Sequence, residues 1–114
     1  MHELGITQNI VAIAVEYAGA VPVKRVSLEI GQLSAVMPEA IQFCFEVCCR
    51  GTIVEGAQLE IIEIPGIGQC CQCGTEVDLD VPFGICPSCG SVELKIIQGE
   101  ELNIKTMEVE SPCV

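Results

Sequence analysis

Two short cysteine knuckles constrain this chain more than any other feature: Cys70-Cys71-Gln72-Cys73-Gly74 and Cys86-Pro87-Ser88-Cys89-Gly90, separated by twelve residues. A two-residue spacer makes a tight turn that aims both cysteines of a knuckle at one ion, and the glycine that follows is free to take positive φ. Cys70, Cys73, Cys86 and Cys89 together offer four thiolates in tetrahedral array at about 2.3 Å, the closed arrangement of structural zinc. No position is left for water, so such an ion braces the fold and performs no hydrolysis. A four-cysteine iron cluster uses similar spacing, and a redox dithiol needs only one knuckle. Cys71 is a bystander or an alternative ligand. Zinc ribbons are commonly structural modules, so the metal site alone does not define a function.

The surrounding segment explains why a staple is needed. From Gly66 to about Ser91 there are few large hydrophobes beyond Val77, Leu79, Val81, Phe83 and Ile85, too few for a self-sufficient core. A structural zinc can contribute roughly 10–16 kcal/mol of apparent folding free energy to such a segment. The whole chain has 114 residues, enough for one domain, or for one small domain with a satellite. Half the residues are hydrophobic but only 4% are aromatic, so the core is built from Ile, Val, Leu and Ala.

Sixteen acidic residues against five basic ones leave a formal charge of −11, which repels phosphate backbones and anionic lipid and argues against a nucleic-acid or membrane-surface binder. No apolar run approaches the roughly 20 residues of a membrane helix. Met1-His2-Glu3-Leu4 has neither a basic n-region nor a small-residue cleavage site, so the expectation is a soluble, cytoplasmic protein. In that reducing compartment an odd count of nine cysteines fits metal ligation, catalysis or burial better than a disulfide framework.

Outside the knuckles the pattern is that of an α+β body. Apolar residues at Ile6, Ile10, Ile13 and Tyr17 form one helical face between about Glu3 and Gly19, widened by Leu4, Val11, Val15 and Ala18. Val26, Leu28 and Ile30 alternate with polar residues as a half-buried strand from Val23 to Ile30. Pro38 and Glu39 suit a helix start and Gly51 its end; Ile41, Cys44, Phe45 and Cys48 make its stripe, with Cys44 and Cys48 read as small core hydrophobes. Ala57 to Ile64 is a second strand in which the extra apolar Ile62 suggests a bulge or two-sided burial. Val92 to Ile96 and Leu102 to Val109 are further strands, the last long enough to return to the first sheet. The expected fold is therefore two helices on a small, mostly antiparallel sheet, with an inserted zinc-ribbon-like four-cysteine module.

A quieter feature lies at the start. His2 is the sole histidine, and methionine is normally retained before a bulky residue. The Met1 amine, the main-chain nitrogen of His2 and its imidazole Nδ1 can close fused five- and six-membered rings on one metal, and planar nitrogen donors suit Ni(II) or Cu(II). Glu3 lies beside them as a further donor. The plainer alternatives are a frayed terminus and a Glu3 that serves the helix start.

Taken together, Met1-His2-Glu3-Leu4 opening a helix, Cys-x-x-Cys-Gly and Cys-Pro-x-Cys-Gly-Ser in the latter half, Ile-Gly-Gln-Leu-Ser at 30–34 and Glu55-Gly56-Ala57 closely resemble the HypA/HybF family of hydrogenase maturation proteins. The resemblance covers essentially the whole chain. It implies a nickel metallochaperone rather than an enzyme, with a nickel-binding α+β domain over 1–65 plus 99–114 and an inserted zinc-binding domain over 66–98. It also implies nickel at His2, with Met1 and Glu3 adjacent, and zinc at Cys70, Cys73, Cys86 and Cys89. The implied partners are a nickel-handling GTPase accessory protein and the large subunit of [NiFe]-hydrogenase, possibly also urease, with the chain acting as monomer or dimer. Cys44, Cys48, Cys49, Cys71 and Cys113 are additions to the minimal family pattern. The competing readings are a zinc-ribbon adaptor that binds proteins without handling nickel, and a dithiol redox protein.

Overall fold

In the computed structural model, which describes residues 3–110, the first helix, α1 (Glu3–Ala18), buries Thr7, Ile10, Val11 and Ala14. The expected stripe is thus only partly the buried one: Ile10 is in it, but Tyr17 is 80% exposed and Ile13 and Leu4 also face outward. Apolar residues surround this helix, so their period does not select a face. The face that turns inward carries the small Ala14 and Thr7, and α1 packs on α2. Thr7 is buried without cost to its hydroxyl, which donates to the Glu3 carbonyl at 2.7 Å. Gly19 ends the helix at φ +63°, its N–H bonded to the Val15 carbonyl.

Strand β1 (Val23–Gly31) follows, with Val26, Leu28 and Ile30 fully buried as their alternation requires. A single 3-10 turn over Gln32–Ser34 leads to α2 (Pro38–Cys49), which begins with proline in its first turn and buries Ile41, Phe45 and Cys49. The inward cysteine is therefore Cys49, whereas Cys44 and Cys48 are only half-buried at the margin of the stripe. Positions 41, 45 and 49 are separated by four residues each, so they line up along the helix more directly than the 41, 44, 45, 48 set.

Strand β2 (Gln58–Ile64) and β6 (Leu102–Val109) flank β1 in a three-stranded sheet of order β2-β1-β6. Equal steps along β1 and β2 join Arg25 to Gln58 and Ser27 to Glu60, the register of parallel neighbours, with α2 as the crossover between them. Bonds from Gly31 to Glu101 and from Glu110 to Pro22 run in opposite senses, so β6 is antiparallel to β1. Ile61 and Ile62 are both half-buried, which accounts for the doubled apolar position in β2. The core of this part comprises Val11, Ala14, Val23, Val26, Phe45, Cys49 and Val54.

Between β2 and β6 the chain makes a second, wholly antiparallel sheet of order β4-β3-β5, from β3 (Gly66–Cys70), β4 (Glu76–Leu79) and β5 (Leu94–Gln98). The chain divides into two compact units; the second contains Glu29–Ala35 together with Glu63–Leu102. The turn residues 29–35 belong to it because Gly31 and Leu33 donate to the carbonyls of Glu101 and Gly99, both at 2.7 Å. Gly31 permits this approach, since a Cβ there would fall on the Gly99 carbonyl. Among the described residues no helix is long and apolar enough to cross a membrane.

Candidate metal centre

The two knuckles have the same local architecture, and the backbone builds it before any side chain takes part. In the first, Gly74 donates to the Cys70 carbonyl at 2.9 Å and Cys70 donates to Thr75; in the second, Gly90 donates to Cys86 at 2.8 Å and Cys86 donates to Ser91. Each turn closes through a glycine at positive φ, +79° at Gly74 and +77° at Gly90. A side chain at either position would have to adopt the left-handed region. Strand β3 delivers Cys70 to the site, and the Cys71 N–H is tied to the Glu93 carbonyl just before β5.

These turns bring Cys70, Cys73, Cys86 and Cys89 together, with all four Sγ atoms within 4.8 Å of one another. Cys70 lies 3.5 Å from Cys89 and Cys73 lies 3.6 Å from Cys86, sulfur to sulfur. A disulfide would need about 2.05 Å. A tetrahedron of thiolates around zinc, with bonds of about 2.3 Å, has edges of roughly 3.8 Å, so the donor set fits that ion in number, chemistry and spacing. Cys70 and Cys86 are buried while Cys73 and Cys89 are exposed. Cys71 is exposed and stands outside the group of four.

The first knuckle is electrostatically prepared to hold sulfur as thiolate. The backbone N–H of Cys73 is the main influence lowering the Cys70 thiol, aided by that of Gln72. Thr75, whose hydroxyl oxygen is 3.1 Å from Cys73 Sγ, is the main influence on Cys73 and brings it down to about 6. Cys89 differs: a Ser91 N–H pulls its thiol down, but Cys70, burial, Cys73 and Cys86 outweigh it and push the thiol up to about 12. The four sulfurs titrate as one coupled set, so the retained proton belongs to the group rather than to a single thiol. A cation among the four sulfurs would replace that proton as the compensating charge.

Thr75 and Ser91 were not among the residues singled out by the cysteine spacing. The signal for them is the repeated Cys-Gly-Thr and Cys-Gly-Ser that ends each knuckle. In both cases a small hydroxyl residue supplies the carbonyl that closes the turn.

At the other candidate site, Met1 and His2 lie outside the described residues. Glu3 opens α1, and its Oε2 accepts from the Met37 N–H at 3.4 Å, linking the start of α1 to the residue preceding α2. Cys44 and Cys48 sit half-buried on α2, and Cys113 also lies outside the described residues.

The sequence matches the family described as hydrogenase/urease nickel incorporation metallochaperone, HypA, over residues 1–109. The chain belongs to the HypA family. Hydrogenase maturation factors HypA from Trichodesmium erythraeum and Rippkaea orientalis are 68% and 64% identical to it, each over the full length of both chains. A solution structure of the Ni metallochaperone HypA from Helicobacter pylori covers 98% of this chain and 100% of its own, at 25% identity and a TM-score of 0.70. HypA membership thus joins the four-sulfur group and the two-helix α+β body in one family fold.

Proposed function

We propose that this chain is a nickel metallochaperone serving hydrogenase maturation, that it captures Ni(II) at its N-terminus, and that its four-cysteine group holds a structural zinc. The observation that carries the reading is the family match across residues 1–109, which takes in both the Met1-His2-Glu3 start and the two knuckles. The nickel-binding part is 1–65 plus 99–114, and the zinc-binding part is 66–98.

The chemistry is capture and release, with no covalent step. The Met1 amine, the His2 main-chain nitrogen and the His2 imidazole are nitrogen donors suited to Ni(II), with Glu3 adjacent. A terminal site with few protein ligands is accessible to a partner that removes the ion. His2 is the sole histidine, so a relay through further imidazoles of this chain does not operate. Amine and imidazole have ordinary pKa values of about 7.7–8.0 and 6.5, so protons displace nickel as pH falls below neutrality.

Cys70, Cys73, Cys86 and Cys89 would hold the zinc, which when bound supplies a structural cross-link. With four thiolates engaged there is no vacant position, and the thiols are withdrawn from redox exchange. The partners are a nickel-handling GTPase and the large subunit of [NiFe]-hydrogenase, in the cytoplasm.

Transfer of radioactive nickel to the nickel-free large subunit, in the presence of the GTPase and GTP, tests the reading. His2→Ala should abolish transfer while zinc content stays at one per chain. Equal transfer by the variant would favour an adaptor role without nickel handling.

A further inference from the structure

The first sheet ends in an open strand beside a groove. In the order β2-β1-β6, β2 has a strand neighbour on one side only among the described residues. Along its other side runs a groove of about 910 Å3, bounded by α2 on one wall and by residues 56–61 on the other. Its apolar surface comes from Phe43, which is 70% exposed, and from the half-buried Leu59 and Ile61. Exposed apolar surface beside unpaired backbone is what proteins ordinarily cover, because it invites another chain.

The backbone identifies the kind of chain that fits. Gln42 Nε2 donates to the Leu59 carbonyl at 3.5 Å, a long contact in which a helix side chain stands where a neighbouring strand's N–H would be. An extended segment carries free N–H and C=O groups to satisfy such an edge, whereas a helix has none to offer. The lining also selects charge: Glu39 and Glu46 both face the groove, and among the described residues no basic side chain lines it. Seven residues of α2 separate these carboxylates, about 10 Å along the axis, or roughly three residues of an extended strand. Lysine or arginine side chains are long enough to reach both from one face of a short strand.

We propose that this groove docks an extended segment of a partner protein that carries apolar and basic residues together on one face, at every second position, added as a fourth strand beside β2. Its apolar residues cover Phe43, Leu59 and Ile61, its basic residues meet Glu39 and Glu46, and its backbone displaces Gln42 from Leu59.

A fluorescein-labelled octapeptide with lysine and valine by turns at its odd positions and threonine between them tests this by anisotropy on the zinc-replete full chain. Two control peptides accompany it, one with the same residues in two blocks and one N-methylated at alternate amides. The alternating peptide should bind at least about tenfold more tightly than either control. The Glu39→Gln, Glu46→Gln double variant should weaken it by about three- to tenfold, the range for two exposed ion pairs. Both carboxylates are exposed, so the variant retains its fold, and amide shifts should concentrate on residues 56–61 and α2. Equal binding of the three peptides, an unchanged double variant, shifts located elsewhere, or self-association through β2 that excludes the peptide would each overturn the proposal.

Discussion

The sulfurs of Cys73 and Cys86 lie 3.6 Å apart although thirteen positions separate them in the chain. Two backbone turns and one antiparallel sheet achieve this, yet few large buried hydrophobes within residues 66–98 secure it: Leu79 is buried, while Val81, Phe83, Ile85 and Val92 are exposed. The metal ligands therefore replace a core. Cys86→Ser should lower zinc from one per chain to less than about 0.2 and collapse amide dispersion for residues 66–98, whereas the amides of α1 and α2 keep theirs. Metal analysis and a 15N correlation spectrum check both halves, and persistence of the β3–β5 amide shifts without zinc would refute it.

Cys49 and Cys71 should respond in opposite ways to serine. Cys49 is 2% exposed and belongs to the core with Val11, Val26 and Phe45, so a hydroxyl there is buried among apolar groups and costs about 1–3 kcal/mol. Cys71 is exposed, and its serine variant should stay within about 0.5 kcal/mol of the parent. Urea denaturation of the zinc-replete proteins measures both.

The same cysteine gives an alkaline limb to stability. Burial, reinforced by Cys48 and Glu55, pushes the Cys49 thiol from its ordinary value of 9.0 up to about 11. Between those values the unfolded chain has lost this proton while the folded chain keeps it. Stability is therefore intact below pH 9 and declines toward pH 11, by at most about 1.4 kcal/mol per pH unit. Cys49→Ala removes this contribution, so the difference in unfolding free energy between parent and variant should shrink over that interval.

Gly31→Ala tests the close contact in the second unit. A Cβ at Gly31 meets the Gly99 carbonyl, which accepts from Leu33, and Gly99 itself has φ +114°. The backbone must move apart, with an expected loss of about 2–4 kcal/mol. Gly5→Ala, on a helix with open space around that position, should be neutral or slightly stabilising in the same denaturation experiment.

Much of this architecture was legible in local patterns. Alternation at Val26, Leu28 and Ile30, proline at position 38 and the final strand from Leu102 to Val109 carried over directly, because each depends on neighbours within one element. The knuckles were legible for the same reason. What the sequence did not disclose depended on distant partners. The α1 face was ambiguous because apolar residues encircle the helix, and Ala14 and Thr7 were selected by close packing. Strands β3 and β4 are short, β3 with two glycines among its five residues, and their pairing is set by the turns between them. Cys49 rather than Cys44 or Cys48 turned inward because the stripe runs in steps of four. The supporting roles of Thr75 and Ser91 acquired meaning only once the two turns could be laid side by side.

Calorimetric nickel titration of zinc-replete protein, comparing the native start, His2→Ala, and a variant with one residue added before Met1, tests the central claim most directly. The native chain should show one tight nickel site, weakening from pH 8 to pH 6, and both variants should lose at least about a hundredfold in affinity with zinc retained. Equal nickel binding by all three proteins would contradict it.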